Sequence, residues 1–432
     1  MSDPLSEPNG LIKARDLILI IRVVLLLFAF FLPFEEIWKE LWGVDTMLKP
    51  YRIFAFLAIC LGINKLIKAR WDKYDKYFAV ILIVGALLAF FWLMYDRGNI
   101  QWVTQELLLL SFSFIMYLLI KRLDLTEKEI NMALFLFVIA CCMNAFYCLY
   151  QVIALGIVFR PHGLSRTPSQ FALFNGIALL FLISRFVYAD RSYSWLEGLL
   201  FVLSSLLLLF TILLSGTRSV MLGIIIALIA IFIILSKRSK RARVFMLMMW
   251  VAGIALITSI IIQFSAMQDT WQVLLDRLEP TTVASGAGRL DIWGLSWFIM
   301  KDFYFIGAGT AGFLIACIPY LPRLGYFNPA ELLVEDKGLV LHNLYLNILV
   351  DYGPLCFVLF IWTVYMILSS LIRLSKHNKY FSPLLPAVMS LFLLIIVQGF
   401  FDDSLNGVTF WIVLSLATYL ASNEQVNFII EE

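Results

Sequence analysis

Apolar runs of roughly 18–22 residues recur along the whole chain, each about the length a helix needs to cross some 30 Å of hydrocarbon. In lipid every backbone N–H and C=O must be satisfied within its own segment, so each run is expected to be a helix. Composition closes off the alternative. The 432 residues are 62% apolar and only 15% charged, with a mean hydropathy of +0.90. A soluble domain cannot hide that much apolar surface. The expected fold is an all-α polytopic membrane protein.

The spans read at about 16–34, 51–67, 78–95, 103–120, 131–155, 170–188, 196–214, 217–235, 244–263, 353–372, 384–400 and 406–422, which makes twelve. Lys and Arg in short loops set orientation. Lys65–Lys73, Lys121-Arg122, Arg185 with Arg191, Lys237–Arg243, and Arg373, Lys376 and Lys379 all fall on one side if the spans alternate. That side is expected to be cytoplasmic, with both termini on it. The polar N-terminus (Met1–Arg15) precedes a first run too long for a signal peptide, so none is expected. Of the six cysteines only Cys317 falls outside an apolar run, which suits small buried hydrophobes better than disulfides.

Between residues 1–263, with nine spans, and 342–432, with three, lies one long polar-containing loop, 264–341, on the opposite side. Within it Met267–Leu278 carries Trp271, Leu274, Leu275 and Leu278 at helical spacing. A second amphipathic helix, Arg289–Asp302, carries Ile292, Trp293, Ser296, Trp297 and Met300 along one side. Their tryptophans suit the lipid–water boundary. Gly307, Gly309 and Gly312 match GxGxxG, but no strand–helix unit surrounds them, so they read as a flexible turn.

Several residues on the loop side carry candidate chemistry. Arg218 follows a tight Ser215-Gly216-Thr217 turn at the start of a span; a turn with free N–H groups beside an arginine suits a phosphate, and snorkelling from a helix end is the bland alternative. Arg289 opens a helix after the glycine-rich Ser285–Gly288, again a setting for an oxyanion or for a solvated charge. His342 ends the loop, and imidazole is the side chain best suited to take a proton from a hydroxyl near neutral pH. Arg160 and Arg166, in the loop Phe159–Arg166 with His162, offer a second anion-contacting surface. Asp402-Asp403 reads as a helix-capping turn, no His/Cys cluster has zinc spacing, and no Asp-x-Asp pair suits a metal–nucleotide-sugar. Arg22 and Glu106, charges within or at the edge of spans, leave a transporter reading open.

Taken in order, Ser215–Ser219, Gly288-Arg289-Leu290-Asp291-Ile292-Trp293, Gly307-Ala308-Gly309, and His342–Leu346 running into Asp351-Tyr352-Gly353 resemble the O-antigen ligase and polymerase superfamily of bacterial polysaccharide assembly. Arg160–Pro168 is similar to that family's outer loop. Asp351 departs from it mildly, since Glu at a slightly different spacing is common there. The resemblance spans roughly residues 155–355. It implies a GT-C-like, metal-independent, inverting glycosyltransferase in the bacterial inner membrane, with its active site on the periplasmic face. The implied donor is a glycan on undecaprenyl pyrophosphate, and the ligase-branch acceptor is a sugar hydroxyl of lipid A-core. Arg218 and Arg289 would hold the pyrophosphate, with Arg160, Arg166 and Asn343 contributing contacts, while His342 would orient or deprotonate the acceptor. Besides these substrates and membrane lipids, no cofactor, metal or nucleic-acid partner is expected. Twelve spans and a single long loop favour the ligase over the polymerase. Charges grouped at the outer rim instead of the midplane count against a transporter.

Overall fold

The computed structural model describes residues 8–42, 49–95, 100–156, 160–188, 193–235, 287–303, 305–320, 341–377, 384–402, 405 and 407–429. The expected ninth span, the expected helix Met267–Leu278 and the basic stretch 237–243 lie outside them. All regular structure among the described residues is helical. Seven helices are long and apolar enough to cross a membrane, and four shorter apolar segments accompany them. Together these coincide with eleven of the expected spans, and the chain is an all-α polytopic membrane protein.

Helices α1 (Pro8–Phe31), α2 (Ile37–Trp42), α3 (Pro50–Lys68), α4 (Lys73–Tyr95), α5 (Ile100–Arg122) and α6 (Glu127–Ile153) form the first part of the bundle. Helices α7 (Pro168–Tyr188), α8 (Trp195–Ser215) and α9 (Arg218–Leu235) follow. Their ends follow local chemistry. Thr126 with Glu129, and Ser194 with Glu197, build capping boxes that satisfy the first N–H groups of α6 and α8. Gly216, in the left-handed region at φ 65°, stops α8. Arg22, read as an intramembrane charge, instead pairs with Glu129 of the α6 cap at 2.8 Å.

After 236–286 the chain continues through α10 (Ala287–Asp302), α11 (Gly312–Ala316), α12 (Leu344–His377), α13 (Leu384–Gln398) and α14 (Val408–Ile429). Helices α7 and α13 are the buried axis: 78% of the α7 span is covered by protein, against 22% of the α8 span. Lipid tails offer no hydrophobic drive for helix association, so close contact comes from small residues and polar pairs. Here Ser184 meets Ser390 at 3.4 Å, and the Asn175 amide donates to Thr211 at 3.1 Å.

Two expectations change around α12. It begins at Leu344 instead of 353 and is broken at Gly353 (φ 83°, ψ 169°), with Pro354 opening the second half. Asn347 and Asp351 interrupt the apolar pattern of the first half, which is why it read as loop. The Gly307–Gly312 turn, expected to be flexible, is buried between α4 and α12. Ala308 and Gly309 N–H groups donate to the Val350 and Asp351 carbonyls at 2.9 and 2.7 Å, and Thr310 N–H donates to Gly85 within α4 at 3.1 Å. Trp92 Nε1 donates to Gly307, and the Asp351 carboxylate accepts from Phe313 N–H at 2.7 Å. The close backbone approach explains the glycines. A Cβ on Gly309 would stand 2.4 Å from the Ala89 nitrogen, and one on Gly353 2.1 Å from the Ile306 oxygen. Irregular backbone in a span survives where protein surrounds and satisfies it.

This seat carries α10. Leu295 and Ile299 pack with Ala308, Phe313, Cys317, Leu341 and Val350 in a small core of their own. The buried side of α10 therefore centres on 295, 296 and 299; Trp297 is exposed, and Trp293 is turned into the protein, contrary to a boundary role for both. All six cysteines are free thiols.

Candidate functional site

The stretch Leu341-His342-Asn343 is held from both sides, and His342 is left facing out. Trp293 Nε1 donates to the Leu341 carbonyl at 2.9 Å. Asn343 is buried, and its side-chain oxygen accepts from Tyr345 and Leu346 N–H groups, both at 3.0 Å, as the N-cap of α12. Leu344 N–H is shared between the Gly399 and Asp402 carbonyls at 2.7 and 3.2 Å. Between these anchors His342 adopts φ 48°, a left-handed conformation that costs a non-glycine residue about 1–2 kcal/mol. Strain of this kind persists where the surroundings over-determine it. The His342 side chain is 47% exposed, and its Nδ1 stands 4.0 Å from Asp402 Oδ1. That separation is too long for a hydrogen bond. Asp402, expected only to cap a helix, thus has its carbonyl under Leu344 and its carboxylate towards the histidine; Asp403 lies outside the described residues.

Arg289 lies in the first turn of α10, one turn before Trp293, whose indole meets Leu341. Arg218 is the first residue of α9, and it is exposed. Helices α9 and α13 pack antiparallel, with Gly223 against Leu394. Moving outward by equal lengths of helix brings Arg218 to the level of Gly399, whose carbonyl holds Leu344. The turn before Arg218 is less open than its sequence suggests. Gly216 N–H donates to Leu213, and Thr217 N–H to Ser215 Oγ at 3.3 Å. The donors left for an anion are the first-turn amides of α9 itself.

Thr217 Oγ1 donates to the Pro168 carbonyl at 3.2 Å, which joins this turn to the loop 160–167. That loop is built on two buried amides of α6. Asn144 accepts from Leu164 N–H at 2.7 Å and donates to Pro33 and Ser165; Gln151 both accepts from and donates to Gly163. Arg160, at φ 49°, and Arg166 face outward from the resulting rigid frame. His162 is half-buried, and burial lowers its pKa against the opposing pull of Glu40 and Glu36, so the neutral imidazole is favoured there. Behind Arg166, Glu35 is buried and accepts from the Gln170 amide at 2.6 Å, with Arg52 at 4.0 Å.

Contacts thus tie the turn before Arg218 to the start of α7 beside the Arg166 loop, and tie the neighbours of His342 to α10 and to the C-terminal turn of α13. Asn343 is occupied as a cap, and Arg160 opens the Arg166 loop. Sequence reasoning missed Asn144 and Gln151, whose signal is an amide recurring two turns apart in an apolar run, and it missed the pairing of Asp402 with His342. Among the described residues no group of three His, Cys, Asp or Glu has a metal-holding arrangement. Guanidiniums and an imidazole–carboxylate couple can bind an oxyanion and move or orient a hydroxyl proton.

Comparison with curated proteins finds no match. Residues 203–361 match the family model described as O-Antigen ligase. That stretch contains Arg218, Arg289, His342, Asn343 and Asp351, and leaves out Arg160, Arg166 and Asp402. The family covers ligases and polymerases acting on lipid-linked glycans, and residues 203–361 of this chain are similar to it.

Proposed function

We propose that the chain is an O-antigen ligase that moves a glycan from undecaprenyl pyrophosphate to a sugar hydroxyl of lipid A-core. The observation that carries this reading is His342 held outward 4.0 Å from Asp402, on a stretch gripped by Trp293 of the helix that Arg289 opens and by the C-terminal turn of α13. In this reading Arg218 and Arg289 hold the pyrophosphate and stabilise the negative charge that grows on the leaving group, where fixed electrostatics count most. His342 takes or steers the acceptor proton while the oxygen attacks the anomeric carbon with inversion. Asp402, 4.0 Å from the imidazole, stabilises the positive charge that forms when His342 takes the proton. Arg160 and Arg166 contact the polyanionic substrate at the flank. No nucleotide or metal is required, because the energy resides in the lipid pyrophosphate. The chain then divides into spans 1–263, a periplasmic loop 264–341 and spans 342–432, with both termini cytoplasmic in an inner membrane.

The test is the surface-glycan profile of a cell from which the gene is deleted. Loss of long-chain lipopolysaccharide, with long glycan accumulating on the carrier, is the expected result. Lipopolysaccharide capped by a single repeat unit would instead assign the polymerase reaction to the same residues. An unchanged profile would sink both.

A further inference from the structure

Among the buried polar side chains of the described residues that lack a hydrogen-bond partner, one amide lacks it at both ends. Gln398, the last residue of α13, is 1% exposed, and neither its Nε2 nor its Oε1 has a hydrogen-bond partner among the described residues. Native structures satisfy nearly all buried polar atoms. This bundle does so for its other rim amides: Asn144 makes three hydrogen bonds and Gln151 two. An apolar residue of the same shape would serve α13 better at position 398 if packing were the only demand.

Its position points to the site. Gln398 follows Leu394 by one turn on the same side of α13, and Leu394 packs against Gly223 of α9. Helix α13 therefore carries Gln398 one turn beyond its contact with Gly223 of α9. Its neighbour Gly399 receives Leu344 N–H, and Asp402, one turn farther, faces His342. We propose that Gln398 is a specificity residue that receives the first sugar of the lipid-linked donor, an inference that rests on the donor assigned above.

The chemistry selects a sugar over a phosphate. A phosphate oxygen only accepts, so it would answer Nε2 and leave Oε1 unmet. A hydroxyl both donates and accepts, and a neighbouring pair of hydroxyls answers both ends of a carboxamide. The arginines thus take the pyrophosphate and the amide takes the sugar attached to it. Phe401 N–H donates to the Gln398 carbonyl at 2.9 Å, so the turn Gly399–Asp402 begins at this residue, and in this proposal the sugar reaches the amide as that turn lifts from Leu344.

The test uses the full-length protein in lipid nanodiscs, with two probes: bare polyprenyl pyrophosphate, and the same lipid carrying an oligosaccharide repeat. Gln398→Leu should bind the bare lipid as the wild type does, and should bind the glycan-bearing lipid roughly tenfold more weakly. Its melting temperature should equal or exceed the wild-type value, since two unmet buried atoms are gone. Gln398→Met, unbranched and of similar length, serves if the leucine variant does not fold. Wild-type affinity of a folded variant for both lipids would overturn the inference while leaving the donor assignment standing. Failure of the wild type to bind either lipid would overturn the donor assignment and the inference with it.

Discussion

Asp75 and Arg166 are both charged residues near helix ends, on opposite faces of the bundle. Asp75 has a side chain only 2% exposed, and it is bonded to Lys121 at 2.9 Å, Arg122 at 2.7 Å and the Tyr117 hydroxyl at 2.8 Å. Asp72 joins the same cluster through Lys121 and Ser422; burial alone would raise its pKa, but Lys121 holds it below the ordinary carboxylate range. Arg166 faces outward, while the backbone that carries it is tied down by Asn144 and Gln151. On the first face charges are spent on each other and bind α4, α5 and α14 together. On the second, neutral amides do the holding and the cations are presented. A saturated charge cluster stabilises a fold; a rigid frame with outward guanidiniums is arranged for a ligand.

The sharpest way to break this comparison sets His342→Ala beside Asp75→Ala. The histidine variant should lose transfer by about two to four orders of magnitude, the scale of a lost acid–base group, with unchanged melting. Near-normal transfer would remove His342 from the chemistry. Asp75→Ala leaves buried cations unpaired and should cost about 3–5 kcal/mol of stability, while each molecule that remains folded keeps its activity. A stable, inactive Asp75→Ala protein would mean that the opposite face also serves the reaction.

Smaller effects sharpen the rim itself. Arg218→Lys keeps the charge but loses the planar fork, so transfer should fall roughly tenfold if a phosphate is held in two-point fashion; full activity would return Arg218 to a snorkelling role. Asp402→Asn should lower kcat roughly tenfold with little change in KM, and an unaltered kcat would reduce Asp402 to its backbone contact with Leu344. Arg166→Ala should raise KM by about threefold at low salt, and the difference should shrink as salt screens the charge. A chelator should change nothing, and loss of transfer on chelation would end the metal-independent scheme.

How far the site was legible depends on how local each cause is. Arg289 at a helix start was legible because caps and breakers act within a turn, whereas the start of α12 at Leu344 was not, since its span was expected only from 353. Nor was the reach of Asp402 to His342, since it depends on the C-terminal turn of α13 docking on the N-terminus of α12. The Gly307–Gly312 turn misled for the same reason. Glycines in an isolated segment mean freedom, whereas here they let the backbone pass within bonding distance of α4 and α12. Trp293 likewise looked like a boundary residue until Leu341 supplied a buried carbonyl for its indole.

The sequence by itself determined the solvent, the helical secondary structure and eleven of the twelve expected spans, because hydrocarbon leaves a backbone no choice but internal hydrogen bonding and because span length follows from bilayer thickness. It also determined which residues carry charge, since so few do. The tertiary structure alone decided which of those charges cancel and which are presented. Pairing depends on helix register and on close approach at positions such as Gly223, Gly309 and Gly353. These contacts join residues far apart in the chain, and no local pattern encodes their distances.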